Sequence, residues 1–385
     1  MDYRKVSELA KQIRGVSYKP EDIHDGLDKD AVILLRANNI SGGKINFDDI
    51  VYVDRRKVSN EQYLRKGDIL ICASSGSKQL VGKAATVDFD RECTFGAFCK
   101  VVRPNPDIAG YLGVYFQSNR YRQKISEVAI GANINNIRNE HIDDLELLVG
   151  NSDENAEVIK TITLLQCIID RKKGQLEKLD ELVKARFVEL FGDAEFNTMQ
   201  WPTKKLSELC NVGSSKRIYQ SEQCAEGVPF LRISDLNERI DNVKNTPELF
   251  IPTTKYNELK GADLVPTAGD ILLTSRGTLG RCYIVRQEDE FYFQDGMISW
   301  LSDLNNQITS VYLSQLFAMP GIQKQIASLQ AGSTVAYLSI SMLKKLNIML
   351  PPFDRQKQFS AFVQQTDKSK LLCRKLWARC NCLTA

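Results

Sequence analysis

The stretch GDILICASSGSKQLVGKAATV at residues 67–87 has a similar counterpart, GDILLTSRGTLGRCYIV, at residues 269–285. Both stretches open with Gly-Asp-Ile-Leu, run through an apolar segment, reach Ser, Gly and basic residues, and return to an apolar segment. Short apolar segments on either side of such residues are typical of two β-strands joined by a turn. The recurrence after 202 residues indicates that one structural unit occurs twice in the chain.

Other landmarks recur in the same order with nearly the same spacing, at offsets of 196 to 201 residues. The pairs are KVSEL (5–9) with KLSEL (205–209), LLRANNI (34–40) with FLRISDL (230–236), and GANINNIRNEHIDDLELLV (131–149) with GSTVAYLSISMLKKLNIML (332–350). Such a period is far too long for a solenoid repeat, so each copy is a whole domain. The predicted strands include AVILL, GDILICA and FCKVV in copy one and VPFLRI, DILLTS, RCYIV and MISWL in copy two. Helices are predicted at 111–125 and 311–326, and the fold class is α/β, in the α+β sense.

A heptad pattern follows each copy. The first seam is Val158, Ile162, Leu165, Ile169, Lys172, Leu176, Leu179, Val183, Arg186 and Leu190. The second, weaker seam is Phe359, Val363, Thr366, Lys370, Cys373, Trp377 and Cys380. Two such seams favour two long helices that pair antiparallel as a coiled coil and carry one domain at each end, with pseudo-two-fold symmetry. The predicted division is a domain at 1–150, a central helix at 151–192, a second domain at 193–352 and a C-terminal helix at 353–385.

Composition narrows the class of protein. The 385 residues are 43% hydrophobic and 26% charged, which is ordinary for a soluble globular protein. No apolar run approaches the ~20 residues of a membrane span, and the N-terminus lacks a signal-peptide core. Ten cysteines without a Cys-x-x-Cys motif and only two histidines argue against a zinc site and for the reducing cytoplasm. A net charge of +3 excludes a polybasic nucleic-acid binder but allows a DNA reader whose basic residues are gathered on one face.

Tests for catalytic motifs are negative. GSKQLVGKA at 76–84 has five residues between its first two glycines where a phosphate-binding loop needs four, and Ala84 replaces the Ser or Thr. LPPF at 350–353 lacks the polar first residue of an amino-methyltransferase site. His24 and His141 stand in different contexts, and no acidic cluster suits a two-metal nuclease. We therefore expect no catalytic or metal site in this chain.

Small, polar and basic residues recur in the loops between the predicted strands, at matched places in the two copies. Arg and Lys can pair with guanine edges, Asn with adenine, and Ser and Thr with bases or phosphates. Loops that differ on similar scaffolds suggest two different targets. The candidate DNA-binding residues are Arg36, Asn38, Ser74, Ser75, Lys78, Lys83, Asn133 and Asn135 in copy one, and Lys216, Arg217, Arg232, Arg276, Thr278, Arg281, Ser333, Thr334 and Tyr337 in copy two.

The paired Gly-Asp-Ile-Leu units with SRGTLG, the run AGSTVAYLSISMLKKLNIMLPPFDRQKQF at 331–359, and a long helix after each copy resemble the DNA specificity (S) subunit of a type I restriction–modification system. Copy one departs from the usual pattern, since CASSGSKQLVG stands where an Arg-Gly-x-x-Gly turn is expected. The resemblance implies two target recognition domains that read the halves of a split sequence in double-stranded DNA. It also implies that the helices set the gap between the half-sites.

The resemblance further implies the partners. Two methyltransferase (M) subunits would dock on the helices, hold S-adenosylmethionine and methylate adenine, and restriction (R) subunits would add ATP- and Mg-dependent cleavage. This chain would carry no cofactor, make no membrane contact and supply recognition only. The coiled-coil contacts would come from Ile162, Leu165, Ile169, Leu176, Leu179, Val183, Phe359, Val363 and Trp377. Two alternatives remain at this point: a coiled-coil scaffold that binds proteins, and a methyltransferase or nuclease whose active site is disguised.

Overall fold

The computed structural model divides into two compact units. Unit 1 comprises Met1–Gly174 with Arg374–Ala385, and unit 2 comprises Gln175–Cys373. The structure describes residues 1–77, 80–130, 136–242, 247–330 and 337–384, and for 128–130 and 381–384 it describes the backbone alone. Within these residues, no helix combines the length and the apolar character that crossing a bilayer requires.

Unit 1 is built on two four-stranded sheets and two short strand pairs. The first sheet is antiparallel and has the spatial order Ala10–Arg14, Cys99–Pro104, Ile69–Cys72, Ala84–Thr86. The second has the order Cys93–Phe95, Ala31–Leu35, Val51–Asp54, Ile23–His24, and its first pair is parallel. The short antiparallel pairs are Asp2–Lys5 with Glu146–Val149 and Ile40–Ser41 with Lys44–Ile45.

Unit 2 repeats most of this strand order. Its four-stranded antiparallel sheet has the order Asn211–Gly213, Ile298–Ser302, Ile271–Thr274, Cys282–Ile284. A three-stranded sheet has the order Phe250–Ile251, Val228–Leu231, Tyr292–Phe293. Its strands Val228–Leu231 and Tyr292–Phe293 are parallel, as the first pair of the second sheet in unit 1 is. Thr203–Lys205 pairs with Asn347–Met349 as the first and last strands of unit 1 do. The predicted repeat is therefore present in the strand pairing of the two units as well as in the sequence.

The stretches at 67–87 and 269–285, here called the Gly-Asp hairpins, each form two antiparallel strands joined by a turn. Their aspartates are buried and accept backbone N–H groups, from Arg65 to Asp68 (2.8 Å) and from Thr267 to Asp270 (2.8 Å). A carboxylate that closes its own turn in this way stabilises the start of the strand. A phosphate-binding loop would run from a strand into a helix, so the hairpin geometry excludes that reading of GSKQLVGKA.

The helices cover the sheets and carry the chain between them. In unit 1 they are Val6–Leu9, Ala109–Gln117, Asn119–Ile130 and Asn139–Asp143, with short 3-10 turns at Pro20–Asp22, Ala37–Asn39, Arg55–Lys57 and Asn60–Gln62. In unit 2 they are Ile233–Ile240, Thr253–Gly261, Ser310–Phe317, Pro320–Leu329 and Ile340–Lys344, with 3-10 turns at Leu206–Glu208 and Gln220–Glu222. The two long helices are the central helix, Ser152–Phe191, and the C-terminal helix, Phe353–Thr384.

Each helical stretch predicted at 111–125 and 311–326 is broken into two helices. In unit 1 the break falls at Ser118, whose backbone is extended and whose Oγ accepts the N–H of Tyr121 (3.2 Å) as a cap of the next helix. In unit 2 the second helix begins at Pro320, which has no N–H to continue the preceding helix and is well suited to a first helical turn. The breaks therefore have local causes in the sequence.

Within unit 2, the two long helices pack against each other in antiparallel directions. Contacts run from Phe187 with Phe359, whose ring centroids lie 5.5 Å apart, to Asp180 with Lys370, whose charged atoms lie 2.7 Å apart. Phe187 also stacks on Tyr312 at 5.6 Å, which ties the helix pair to the body of the unit. Buried aromatic pairs of this kind contribute about 0.5–1.5 kcal/mol each beyond the burial of their surface.

The same tethers join helix to strand in both units. The hydroxyl of Tyr111 donates to the carbonyl of Leu148 (2.6 Å), and that of Tyr312 donates to Met349 (2.9 Å). At the start of the long helices, Asn155 donates to the carbonyl of Gly150 and Gln356 to that of Pro351. These matched contacts fix where each long helix leaves its unit.

The cysteines that the structure describes are not joined in disulfides. Cys93 and Cys99 are buried in strands of unit 1, and burial raises the pKa of both thiols to about 12. Because the thiolate is the reactive form, these buried groups are packing residues without nucleophilic character at neutral pH.

Gly82 provides a test of the hairpin geometry. Its φ is +79°, and a Cβ there would lie 2.6 Å from Cγ2 of the buried Ile125. Gly42 also has a left-handed φ, +57°, but a Cβ there would meet nothing within 4 Å. We expect Gly42→Ala to lower the free energy of unfolding by about 1 kcal/mol, through backbone strain alone. Gly82→Ala should lower it by about 2–4 kcal/mol, since the clash adds to the same strain. Urea denaturation followed by circular dichroism measures both, and equal losses would contradict the close packing.

Candidate DNA interface

In each unit a backbone bridge joins the turn end of the Gly-Asp hairpin to a segment later in the chain. In unit 1 Ser74 bridges to Asn136, and the N–H of Ile137 donates to the carbonyl of Ala73 (2.8 Å). In unit 2 Arg276 bridges to Tyr337, and the N–H of Leu338 donates to the carbonyl of Ser275 (3.0 Å). The hydrogen-bonding pattern is the same although the side chains differ.

A third segment joins each bridge. The carbonyl of Phe98 accepts the N–H of Ala73 (2.9 Å), and the carbonyl of Met297 accepts the N–H of Ser275 (2.9 Å). We call the three residues that meet in this way the hairpin mouth. The mouth consists of Ser74, Asn136 and Phe98 in unit 1, and of Arg276, Tyr337 and Met297 in unit 2.

The mouth of unit 1 opens into a cleft of about 650 Å³. Four of the sequence-predicted residues lie together in its lining: Arg36, Asn38, Ser74 and Ser75. Lys83 lies elsewhere, in a second cleft of about 370 Å³ that is also lined by Arg122 and Gln166. Lys78, Asn133 and Asn135 lie outside the described residues.

In the mouth of unit 2, the guanidinium of Arg276 lies 5.2 Å from the centre of the Tyr337 ring. Stacking of this kind orients an arginine without engaging its hydrogen-bond donors. Arg276 and Thr278 are exposed, and in the part of the chain that the structure describes no carboxylate lies within 4 Å of Arg276. Ser333 and Thr334 lie outside the described residues.

A matched pair of arginines is held by carboxylates. Nη2 of Arg36 donates to Asp49 (2.8 Å), and Nη2 of Arg232 donates to Glu248 (2.7 Å). Both arginines also stand at the same place in the fold, because their N–H groups donate to Asn39 and Asp235 three residues on. Because this arginine–carboxylate contact occurs in both units, we interpret it as holding a loop in place. It does not distinguish the two hairpin mouths from each other. Asn38 also donates to Asp49 (2.6 Å).

Two of the other arginines predicted in unit 2 are also engaged by carboxylates. Arg217 donates to Asp295 (2.8 Å), which raises the pKa of Arg217. Arg281 is hydrogen-bonded to Asn237 in the helix Ile233–Ile240 and to Asp241, the C-cap residue of that helix. Lys216 contacts the Tyr292 hydroxyl through its backbone N–H (2.8 Å). Among the arginines of this set, Arg276 is therefore the best-placed donor for a ligand outside the protein.

The predicted helix residues lie on one side of each long helix. Ile162, Leu165, Ile169, Leu176 and Leu179 are half-buried, and Val183, Phe359 and Val363 are buried. The last three belong to the core of unit 2. Trp377 is 40% exposed.

Chemically, these mouths offer hydrogen-bond donors, acceptors and apolar surface, and they hold no nucleophile paired with a base. His24 faces Asp28, and His141 accepts the N–H of Arg138 as part of a helix cap. Among the described residues no cluster of three or more His, Cys, Asp or Glu side chains is arranged to hold a metal ion.

Known proteins resemble this chain over nearly its whole length. It is 30% identical over 384 residues to the type I restriction enzyme EcoKI specificity subunit of Escherichia coli K12. The match covers 94% of this chain and 80% of that protein. The chain belongs to the specificity subunits of type I restriction enzymes.

Further comparisons agree. The StySPI specificity subunit of Salmonella potsdam is 29% identical over 388 residues, covering 94% of this chain and 80% of that protein. A model of the type I restriction modification DNA specificity domain matches residues 199–376. The crystal structure of a type I S subunit from M. genitalium shares the fold, with a TM-score of 0.55 at 17% identity over 100% of this chain and 93% of that one. The family predicted from the sequence is confirmed, and the disguised enzyme and the protein scaffold are not favoured.

Sequence reasoning about this specificity subunit missed Phe98, Asp49 and Glu248. Phe98 follows a Gly-Ala turn between two predicted strands, and aligning the two copies there would have placed it opposite Met297. The carboxylates carry no comparable signal, because their arginine partners lie 13 and 16 residues away in loops of different sequence.

The contacts of Arg281 and Arg276 predict that alanine substitutions at these two positions affect the stability of the specificity subunit differently. We expect Arg281→Ala to lower the free energy of unfolding by about 1 kcal/mol, because it strips a partner from Asn237 and Asp241. Arg276→Ala should change it by about 0.5 kcal/mol or less, since it loses one exposed ring contact. Urea denaturation of the two variants side by side gives the comparison. A larger loss for Arg276→Ala would show that this side chain belongs to the scaffold.

Proposed function

We propose that this chain reads one DNA target in two separated halves, with each unit contacting one half-site. The hairpin mouths carry the proposal, because one backbone arrangement presents Ser74 and Asn136 in unit 1 but Arg276 and Tyr337 in unit 2. An arginine fork suits guanine, while asparagine suits adenine. Two mouths with different donors and acceptors therefore suit two different base sequences.

The proposal divides the chain into four parts. Recognition domains lie at 1–150 and 193–352, and spacer helices that form a coiled coil lie at 151–192 and 353–385. It is supported by the antiparallel contacts of Phe187 with Phe359 and of Asp180 with Lys370. The half-buried seam of the central helix supports it as well. In this arrangement the helices set the number of base pairs left unread.

Catalysis belongs to the partner subunits. We infer that two methyltransferase subunits dock on this chain, bind S-adenosylmethionine and methylate adenine, and that restriction subunits add ATP and Mg. This division suits the chain, because its mouths contain hydrogen-bond donors and acceptors for recognition. Its two histidines are engaged elsewhere, His24 with Asp28 and His141 in a helix cap.

The charge balance predicts how strongly this chain binds DNA by itself. Its net charge is only +3, and three arginines of the candidate set in unit 2 are engaged by carboxylates. Few phosphates are therefore neutralised, and the affinity of the isolated chain for duplex DNA should be weak. We expect binding to its target to tighten by at least about tenfold when the cognate methyltransferase is added at fixed salt.

Fluorescence anisotropy with a labelled duplex, with and without the methyltransferase, measures this change. A scrambled duplex serves as the control, since the gain should be confined to the target sequence. Equal affinity with and without the partner would contradict the proposed division of labour, and failure to bind DNA under either condition would favour a protein scaffold.

The spacer role predicts the effect of lengthening the central helix near Gly174. Four inserted residues add about one turn and about 6 Å, which is close to two base-pair steps. We expect the unread gap in the methylated sequence to grow by one or two base pairs while both half-sites stay unchanged. Gly174→Ala is the matched control, because a Cβ there meets nothing within 4 Å.

Mapping of methylated adenines in cells that carry each variant measures the gap. Altered half-sites with an unchanged gap would show that the helix does not act as the spacer.

A further inference from the structure

Phe98 differs from the other members of the mouths, because it is a large apolar side chain left in the open. It lies at the turn between the strands Cys93–Phe95 and Cys99–Pro104, where the N–H of Cys99 donates to Gly96 (2.8 Å). Its carbonyl accepts from both Ala73 and Ser74, at 2.9 and 3.0 Å. The backbone is therefore fixed on both sides, yet the side chain is 72% exposed.

The matched residue of unit 2 behaves differently. Met297 occupies the same place in the backbone pattern, but its side chain is partly buried and packs against the core of unit 2. An exposed aromatic ring at this place is therefore no requirement of the repeated scaffold. It is a feature of unit 1 alone.

The surroundings of Phe98 suit a base-pair edge. The cleft that it lines also contains Ser74, Ser75 and Asn38, and its lining includes one guanidinium, that of Arg36, and no carboxylate. At the corresponding places in the sequence of unit 2, Arg217 and Asp295 form an ion pair, whereas unit 1 has Ser17 and Gly96. The cleft of unit 1 thus combines neutral hydrogen-bonding groups with one apolar ring.

Duplex DNA offers an apolar side chain one distinguishing feature in the major groove, the 5-methyl group of thymine. The other edge groups there are hydrogen-bond donors and acceptors, which suit the serines and the asparagine. We propose that Phe98 is a specificity-determining residue that recognises a thymine by packing on this methyl group, in the half-site read by unit 1. The assignment rests on the proposed function, since it presupposes that the mouth of unit 1 faces DNA.

Replacement of thymine by deoxyuracil tests the contact, because it removes the methyl group and leaves the pairing edge intact. The experiment uses the complex of this chain with its methyltransferase and the mapped target, with each thymine of both half-sites replaced in turn. We expect one thymine, in one half-site, whose replacement weakens binding about fourfold, the ratio that corresponds to one buried methyl-sized group. Phe98→Ala should bind the thymine and deoxyuracil duplexes equally at that position.

Leu27→Ala is the control variant, since Leu27 is 59% exposed in the same unit and lies outside the cleft lining. It should keep the fourfold preference for thymine. A thermal unfolding curve of Phe98→Ala that matches the unaltered chain shows that the change acts on recognition and leaves the fold intact.

Two results would overturn the assignment: no sensitive thymine in either half-site, or a preference for thymine that survives in Phe98→Ala. The proposed function fails separately, if the complex shows no preference for its mapped target over a scrambled duplex. In that case the Phe98 assignment falls with it.

Discussion

The backbone bridge at the turn end of each Gly-Asp hairpin is the constraint on which the candidate interface depends. The carbonyls of Ala73 and Ser275 accept N–H groups from Ile137 and Leu338, segments that lie more than sixty residues further along the chain. Such bonds use only main-chain atoms, so they place few demands on the side chains beside them. A scaffold held in this way can keep its shape while Ser74 in one unit is replaced by Arg276 in the other. This is how one fold can serve two different readings.

Charge is distributed in a way that separates support from recognition. Arg36 and Arg232 stand at matched positions and are each held by a carboxylate, so their guanidinium groups stabilise loops in both units. Arg276 stacks on Tyr337 and keeps its donors available, whereas unit 1 presents neutral groups and an aromatic ring. A chain with a net charge of only +3 has little general affinity for phosphates. Under the proposed function, tight binding then comes from assembly with partner subunits.

The sequence predicted the scaffold better than the site, for physical reasons. Apolar runs such as AVILL and DILLTS lie in buried strands at Ala31–Leu35 and Ile271–Thr274, because their pattern is set by burial. The two heptad seams, one with Val183 and the other with Val363, were predicted from the same kind of pattern. The helix break before Pro320 could also have been read, since proline has no N–H to continue a helix. The pairing of Arg36 with Asp49 could not, because it depends on how a loop folds back.

The central claim is that this chain selects a DNA sequence through two independent readers at a fixed separation. Genome-wide mapping of methylated adenines in host cells, with this chain present and with it deleted, tests that claim most directly. The account predicts one methylated motif made of two constant half-sites around a gap of constant length, lost completely on deletion. A motif that persists without the chain, or one continuous sequence without a gap, would contradict it.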